Sequence, residues 1–304
     1  GDVQPANASK WAQSPFILDK TTEPGKLIGR GTEDDKGAIA TALYAMKAIK
    51  DKGIELENRI ELMVYLAEES DWRPLKTFMQ TYEEPKYAVT IDASYPVVVA
   101  EKGWSLVAPT FSGDAPEQGV YVTDLQGGAF VSQIPEDASA VVHNADAATI
   151  DTLQRNISKL DKVKVSMVEQ QGALHIQVKG TSAHSSEPEA GVNAIAHLGA
   201  IFDGVDLANN ADGQALTFIN ELIGLGLYGQ QFGDIAYEHD FMGPMTVAPT
   251  LLQREGNDIT LSVNLRRPVG KDGDVLAQQI EHALNTWQQS HGVTLKNVEV
   301  EIGT

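Results

Sequence analysis

The 304-residue sequence contains no cysteine, which excludes disulfides, thiolate metal sites and a cysteine nucleophile. It is poor in cations: 23 Lys and Arg stand against 42 Asp and Glu, a formal net charge of −19. Such a chain is repelled by a phosphate backbone and by an anionic bilayer, which argues against nucleic acid and membrane as partners. No apolar run approaches the ~18 residues of a membrane-spanning helix. The expectation is a soluble protein whose compartment stays open, the cytoplasm favoured over the periplasm. Also lacking are low-complexity tracts, short repeats, a starting Met and a basic or apolar leader. Gly1-Asp2-Val3-Gln4-Pro5 opens the sequence and Glu301-Ile302-Gly303-Thr304 closes it, so a chain cut at both ends is expected. What is present is ordinary globular material, 42% hydrophobic and 21% charged, long enough for two domains.

From about residue 26 to 102 the pattern alternates helix and buried strand. Ile39, Leu43, Met46 and Ile49 recur at helical spacing over 36–52, with Asp34 and Asp35 before them and Gly53 after. Residues 59–67 (RIELMVYLA) and 86–91 (KYAVTI) read as buried strands, with a short helix over 71–82 between them. This predicts an α/β layer with a mostly parallel sheet and flanking helices. After Lys102 the texture changes. Strands are expected at 104–111, 119–124, 163–168 and 173–179, with helices near 146–160 and 190–204. A helix near 211–224, a hairpin at 246–265, a helix at 274–289 and a strand at 293–302 follow. The hairpin turns at Glu255-Gly256-Asn257-Asp258. Strands paired around helices, twice over, predict an α+β second domain of two similar halves. The boundaries are 1–104 for the first domain and 105–302 for the second.

Acidic residues close the predicted elements of the first domain. Asp2 stands at the start, Asp34-Asp35 end the loop GRGTEDDKG, Glu68-Glu69 follow RIELMVYLA, and Asp92 follows KYAVTI. Asp ends strands and caps helices on ordinary grounds. In an open parallel sheet, however, the C-terminal strand ends face one crevice, and carboxylates gathered there repel one another unless cations neutralise them. As a set these residues point to a metal or catalytic site.

Several segments resemble, in order, those of the co-catalytic zinc metallopeptidases, the family of carboxypeptidase G, acetylornithine deacetylase, succinyl-diaminopimelate desuccinylase and the carnosinase-like dipeptidases. GRGTEDDKG is similar to the family's metal-binding loop and YLAEES to its Glu-Glu pair. IDASYPVVVAEKG, GTSAHSSEPEAGVNAI, IAYEHDFMGPMT and LSVNLRRPVG resemble segments of the dipeptidase branch. The resemblance implies two zinc ions, with manganese or cobalt as substitutes. Asp34 would bridge them across a cis bond to Asp35, Glu69 would bind one and Asp92 the other. Glu68 would be the general base, and Asp2 would orient a metal-bound histidine. The second domain would be a lid of two ferredoxin-like halves. Its His184 would reach the metal centre, Arg266 would pair with the substrate carboxylate, and Ser132 would stand where the branch has an oxyanion-binding Asn. Arg266 has a basic neighbour, Arg267, so which of the two points inward stays open.

The implied activity is amide hydrolysis of dipeptides or short peptides, with N-acyl-amino-acid hydrolysis as the alternative. An inactive relative is disfavoured by the intact Asp34, Glu68, Glu69 and Asp92. Smaller lids of the family dimerise through one half, so a two-half lid implies a monomer. The family's first metal-binding His would precede Gly1, and the other would follow the lid. The seven histidines, at 143, 175, 184, 197, 239, 282 and 291, all lie in the second domain. The expectation is therefore an incomplete metal centre. Gly224-Leu-Gly226-Leu-Tyr-Gly229 matches a dinucleotide fingerprint but lacks strand–turn–helix context. His239-Asp240 reads as solvated or substrate-facing, and Trp72 and Trp104 as packing.

Overall fold

The computed structural model describes residues 1–303 apart from 5, 7, 71, 94, 95 and 117. The chain divides into two compact units, Gly1–Val99 and Ala100–Thr304. The first unit carries two helices, α1 (Ala38–Asp51) and α2 (Arg73–Met79). Position 71, where the second was predicted to begin, lies outside the described residues. Asp34 and Asp35 do not cap α1. They belong to an irregular turn, Thr32–Gly37, and the helix starts behind it without a side-chain cap.

The expected parallel sheet of the first unit is not formed among the described residues. Residues 59–67 and 86–91 lie outside any strand, and the backbone pairing there is an isolated bridge between Asp19 and Ile28. An apolar run makes a strand possible, but a parallel strand exists only with neighbours on its hydrogen-bonding edges. Without them Leu66 stays 61% exposed and Val89 88% exposed.

The second unit is built as the pattern predicts, except that the sequence reading missed one long strand and four strands of two residues each. In chain order it runs β1 (Gly103–Phe111), β2 (Tyr121–Gly127), β3 (Gln133–Ile134), β4 (Asp137–His143), α3 (Ala147–Ser158), β5 (Lys164–Gln170) and β6 (Ala173–Lys179). Then come β7 (Ala183–His184), α4 (Ala194–Ile201), α5 (Ala211–Phe218), β8 (Glu238–His239), β9 (Gly243–Pro244), β10 (Thr246–Glu255), β11 (Asp258–Arg267), α6 (Gly273–His291) and β12 (Asn297–Ile302). The two-residue strands β3, β7, β8 and β9 were missed, and so was the longer β4, whose DASAVVH alternates exposed and buried in a weak, small-residue pattern.

Two four-stranded antiparallel sheets result, ordered β10-β11-β1-β12 and β2-β4-β6-β5. The first has the connectivity β1-α5-β10-β11-α6-β12, a ferredoxin-like βαββαβ order. The second has the same strand arrangement with its edge strand β2 entering first. The two halves are nested, because the β2–α4 segment is inserted between β1 and α5. Side-chain caps fix the helix starts: Asp146, Asn193, Asn210 and Asp272 each accept from backbone N–H groups one turn on.

One buried apolar cluster joins both halves, with Val107, Phe111, Leu261, Val263 and Leu265 from one and Val142, Ile176, Ile195 and Leu198 from the other. Phe111, Phe218 and Trp287 meet edge-to-face, with Phe218 and Trp287 centroids 5.2 Å apart. Each such side chain contributes about 2–3 kcal/mol by burial. Asp212, only 4% exposed, ties the halves by polar contacts. It accepts from the Leu125 N–H on β2 at 2.9 Å and from the guanidinium of Arg254 on β10. Among the described residues no helix is long and apolar enough to cross a membrane.

Candidate functional site

In the first unit the acidic residues gather although no sheet among the described residues positions them. Glu68 feels Glu69, Asp92, Asp34 and Asp2 electrostatically; burial first, then those neighbours, pushes its carboxyl from 4.5 up to about 7. Burial also raises Glu69, with Asp34 and Asp2 adding to it and a hydrogen bond from Gln4 opposing it. The loops are held by specific bonds. The Glu68 N–H donates to Asp2 Oδ1 at 3.1 Å, and the Gly1 nitrogen donates to the Tyr65 carbonyl at 2.9 Å. Gln4 Nε2 donates to Glu69 Oε2 at 2.7 Å. The segment 1–4 is thereby laid along the Tyr65–Glu69 loop.

That loop is strained and locally braced. Ala67 (φ 61°) and Trp72 (φ 56°) both occupy the left-handed region on either side of the Glu68-Glu69 pair. The Trp72 indole N–H donates to the Glu68 carbonyl at 2.6 Å, and its ring meets Tyr65 edge-on at 6.1 Å. Gly31 (φ 83°) turns the chain into Asp34, where a side chain would strike Val3 at 2.3 Å. The Asp34–Asp35 peptide bond is cis, as the resemblance implied.

The donor chemistry here is hard oxygen, suited in charge to a divalent cation. Among the described residues, however, no group of three or more His, Asp or Glu is disposed to hold a metal ion. The unit contains no histidine. The carboxylates thus fit as part of a ligand set and do not by themselves form one.

The second unit gathers the residues expected to face substrate. Strands β3 and β7 pair with Gln133 opposite His184, and the Ser185 N–H donates to the Ser132 carbonyl at 2.8 Å. The Ser185 hydroxyl in turn accepts from Arg266 Nη2 at 3.1 Å. Ser132, His184 and Arg266, 134 positions apart from first to last, are therefore linked through Ser185. His184 Nδ1 accepts from the Ser186 N–H at 3.3 Å and lies 2.6 Å from its hydroxyl. This leaves Nε2 to carry the proton of the neutral ring. Arg266 is 8% exposed, while Arg267 donates to the Gly303 carbonyl, which settles the open choice for Arg266. Burial lowers the Arg266 pKa, and Glu101 opposes that effect.

Comparison with known proteins gives this arrangement a context. Residues 1–208 match the model of the Peptidase family M20/M25/M40, and residues 170–290 match that of a peptidase dimerisation domain. The chain belongs to this peptidase family. It is 28% identical over 277 residues to a Bacillus subtilis (strain 168) protein named "Putative dipeptidase YtjP", covering 90% of this chain and 59% of that protein. It is 27% identical over 281 residues to the Beta-Ala-Xaa dipeptidase of Lactobacillus delbrueckii subsp. lactis, covering 92% of this chain and 59% of that protein. The chain spans a little under two thirds of the length of these relatives.

The sequence reading missed Gln4, Tyr65 and the bracing role of Trp72 around the carboxylates of the first unit, and Ser185 beside Arg266 in the second. Gln4 and Ser185 each sit within two residues of a predicted site residue, which was the one signal available. The Gly224–Gly229 match is no nucleotide loop: Gly224 (φ 64°) ends a helix and no strand precedes it. His239 Nδ1 accepts from the Phe241 and Met242 N–H groups and so caps its own turn.

Proposed function

We propose that the protein of which this chain forms the described part is a metal-dependent hydrolase of dipeptides or short peptides. The first unit is its catalytic domain and the second its lid. What supports the reading is the gathering of Glu68, Glu69, Asp34, Asp92 and Asp2 in a chain of the peptidase family, with Glu68 raised by burial and by those neighbours. A general base is most effective when its pKa lies near the working pH. Asp34, Glu69 and Asp92 would supply part of the oxygen ligands of two divalent cations, zinc in the first instance, with manganese or cobalt as substitutes. The chemistry supplied by such ions when bound would be polarisation of the scissile carbonyl and a lowered pKa of water. Glu68 takes the proton from the attacking water and returns it to the leaving amine. Asp2 holds the Glu68 backbone, and Gln4 holds the Glu69 carboxylate. On the lid side Arg266 holds the substrate's terminal carboxylate, while His184 and Ser132 donate to the oxygen that gains charge as the carbonyl becomes tetrahedral.

The protein is further proposed to be monomeric, because one chain already contains two ferredoxin-like halves. Light scattering tests this; a stable dimer joined through strands of the second unit sinks it. For the activity, the full-length protein is assayed with zinc or manganese on a dipeptide panel and on N-acetyl and N-succinyl amino acids. Turnover of dipeptides with little of the acylated compounds supports the reading, and the reverse preference moves it to an amino-acid deacylase.

A further inference from the structure

Asn264 lies on β11 two residues before Arg266, between Leu106 of β1 and Ala248 of β10. Strand alternation puts Asn264 and Arg266 on one face, opposite the face from which Val263 and Leu265 enter the apolar core. That face is covered by loops of the other half. Gly128 approaches β10 so closely that a Cβ there would lie 2.0 Å from the Thr250 carbonyl, and Ser185 meets Arg266. Asn264 is 1% exposed, yet neither its Nδ2 nor its Oδ1 has a hydrogen-bond partner. Arg266 Nε is likewise buried without a partner. Among the described residues no carboxylate forms an ion pair with Arg266. Buried polar groups are almost always bonded, and leaving one unpaired costs more than removing it. An unpaired donor and acceptor on Asn264, beside a guanidinium whose Nε is unpaired and which no carboxylate of the described residues neutralises, describe the complement of a ligand.

The complement has a definite chemistry. An extended residue presents its N–H and its C–O on the same side, as a ladder residue does, and a carboxamide offers the matching acceptor and donor. We propose that Asn264 is a substrate-binding residue that reads the C-terminal residue of the peptide. Its Oδ1 accepts from that residue's peptide N–H, and its Nδ2 donates to one carboxylate oxygen while Arg266 holds the other. This rests on the proposed peptide-hydrolase reading and deepens it. The consequence is selection against a C-terminal proline, whose nitrogen has no hydrogen to give.

The test is calorimetric binding of Ala-Ala and Ala-Pro to the 304-residue chain and to its Asn264→Leu variant, with thermal melts alongside. The wild type binds Ala-Ala about tenfold more tightly than Ala-Pro, the equivalent of one good hydrogen bond. Asn264→Leu loses that preference, because Ala-Ala forfeits both contacts to the carboxamide and Ala-Pro only the one to its carboxylate, and it melts no lower than the wild type, because an unpaired polar group has left the interior. If Asn264→Leu does not fold, Asn264→Ser carries the same comparison. An unchanged Ala-Ala to Ala-Pro ratio in the variant overturns the role of Asn264 and leaves that of Arg266 standing. A wild type that binds neither peptide overturns both.

Discussion

The two units spend similar apolar sequence in opposite ways. In Gly1–Val99 the run RIELMVYLA leaves Ile60, Val64 and Leu66 exposed, and no described residue joins the buried apolar cluster. In Ala100–Thr304 the comparable run ITLSVNLRR buries Ile259, Leu261, Val263 and Leu265 completely. The difference is one of partners. β11 has β10 on one edge and β1 on the other, so its backbone is satisfied and its inner face meets helices. Residues 59–67 have neither. Hydrophobic stabilisation is proportional to area removed from water, so identical side chains contribute in one setting and not in the other. The candidate functional groups follow the same division: the carboxylates are held by irregular, strained loops, and the groups proposed to face substrate by ladders and a core.

Hydrogen exchange is the broadest way to break that contrast. Amides of β1, β10 and β11 are expected to exchange about 10⁴-fold or more slowly than those of residues 59–67, since core ladders open only with global unfolding. Equal protection would mean that the first unit has a cooperative core after all. The contrast is sharpened next by the carboxylate pair. In the full-length protein Glu68→Gln is expected to lower kcat by about 10²–10⁴-fold with metal content nearly unchanged, and Glu69→Gln to lose metal. Metal analysis beside kinetics decides; a reversal between the two variants reverses their roles.

In the second unit, Asp212→Ala is expected to cost about 3 kcal/mol in urea melts, because it leaves Arg254 and the Leu125 N–H without their buried acceptor. A loss below that of an average surface substitution would show that the halves are held by the apolar cluster alone. The smallest effect belongs to Glu68 itself. Its carboxyl is raised from 4.5 to about 7, so the folded chain binds its proton more tightly than the unfolded chain does. Stability contributed by this group is therefore present at low pH and declines as pH rises through that window. With a chelator present, Glu68→Gln should be more stable than wild type at pH 7.5 and show a flatter profile from pH 5 to 7.5. Parallel pH profiles for the two proteins would refute the assignment.

Much of the second unit was legible. Period-2 alternation and the Glu255–Asp258 turn are local signals, and each strand they marked found a partner. β4 escaped because Ala138, Ala140 and Val142 give too small a hydrophobic signal, and its strand character comes from β2 and β6 on its edges. In the first unit the described residues 59–67 and 86–91 lack strand partners, so the apolar pattern there reports which residues tolerate burial and not whether a neighbour supplies it.

By itself the sequence determined the charge balance, the absence of thiol chemistry and the set of acidic residues, because these are properties of residue type and short-range spacing. Tertiary structure alone decided that Arg266 and not Arg267 is enclosed, that Gln4 reaches Glu69, that Ser185 joins Ser132 to Arg266, and that Asn264 is buried without a partner. These facts depend on contacts between residues tens to hundreds of positions apart, and such contacts are fixed by which surfaces close on each other when the chain leaves water.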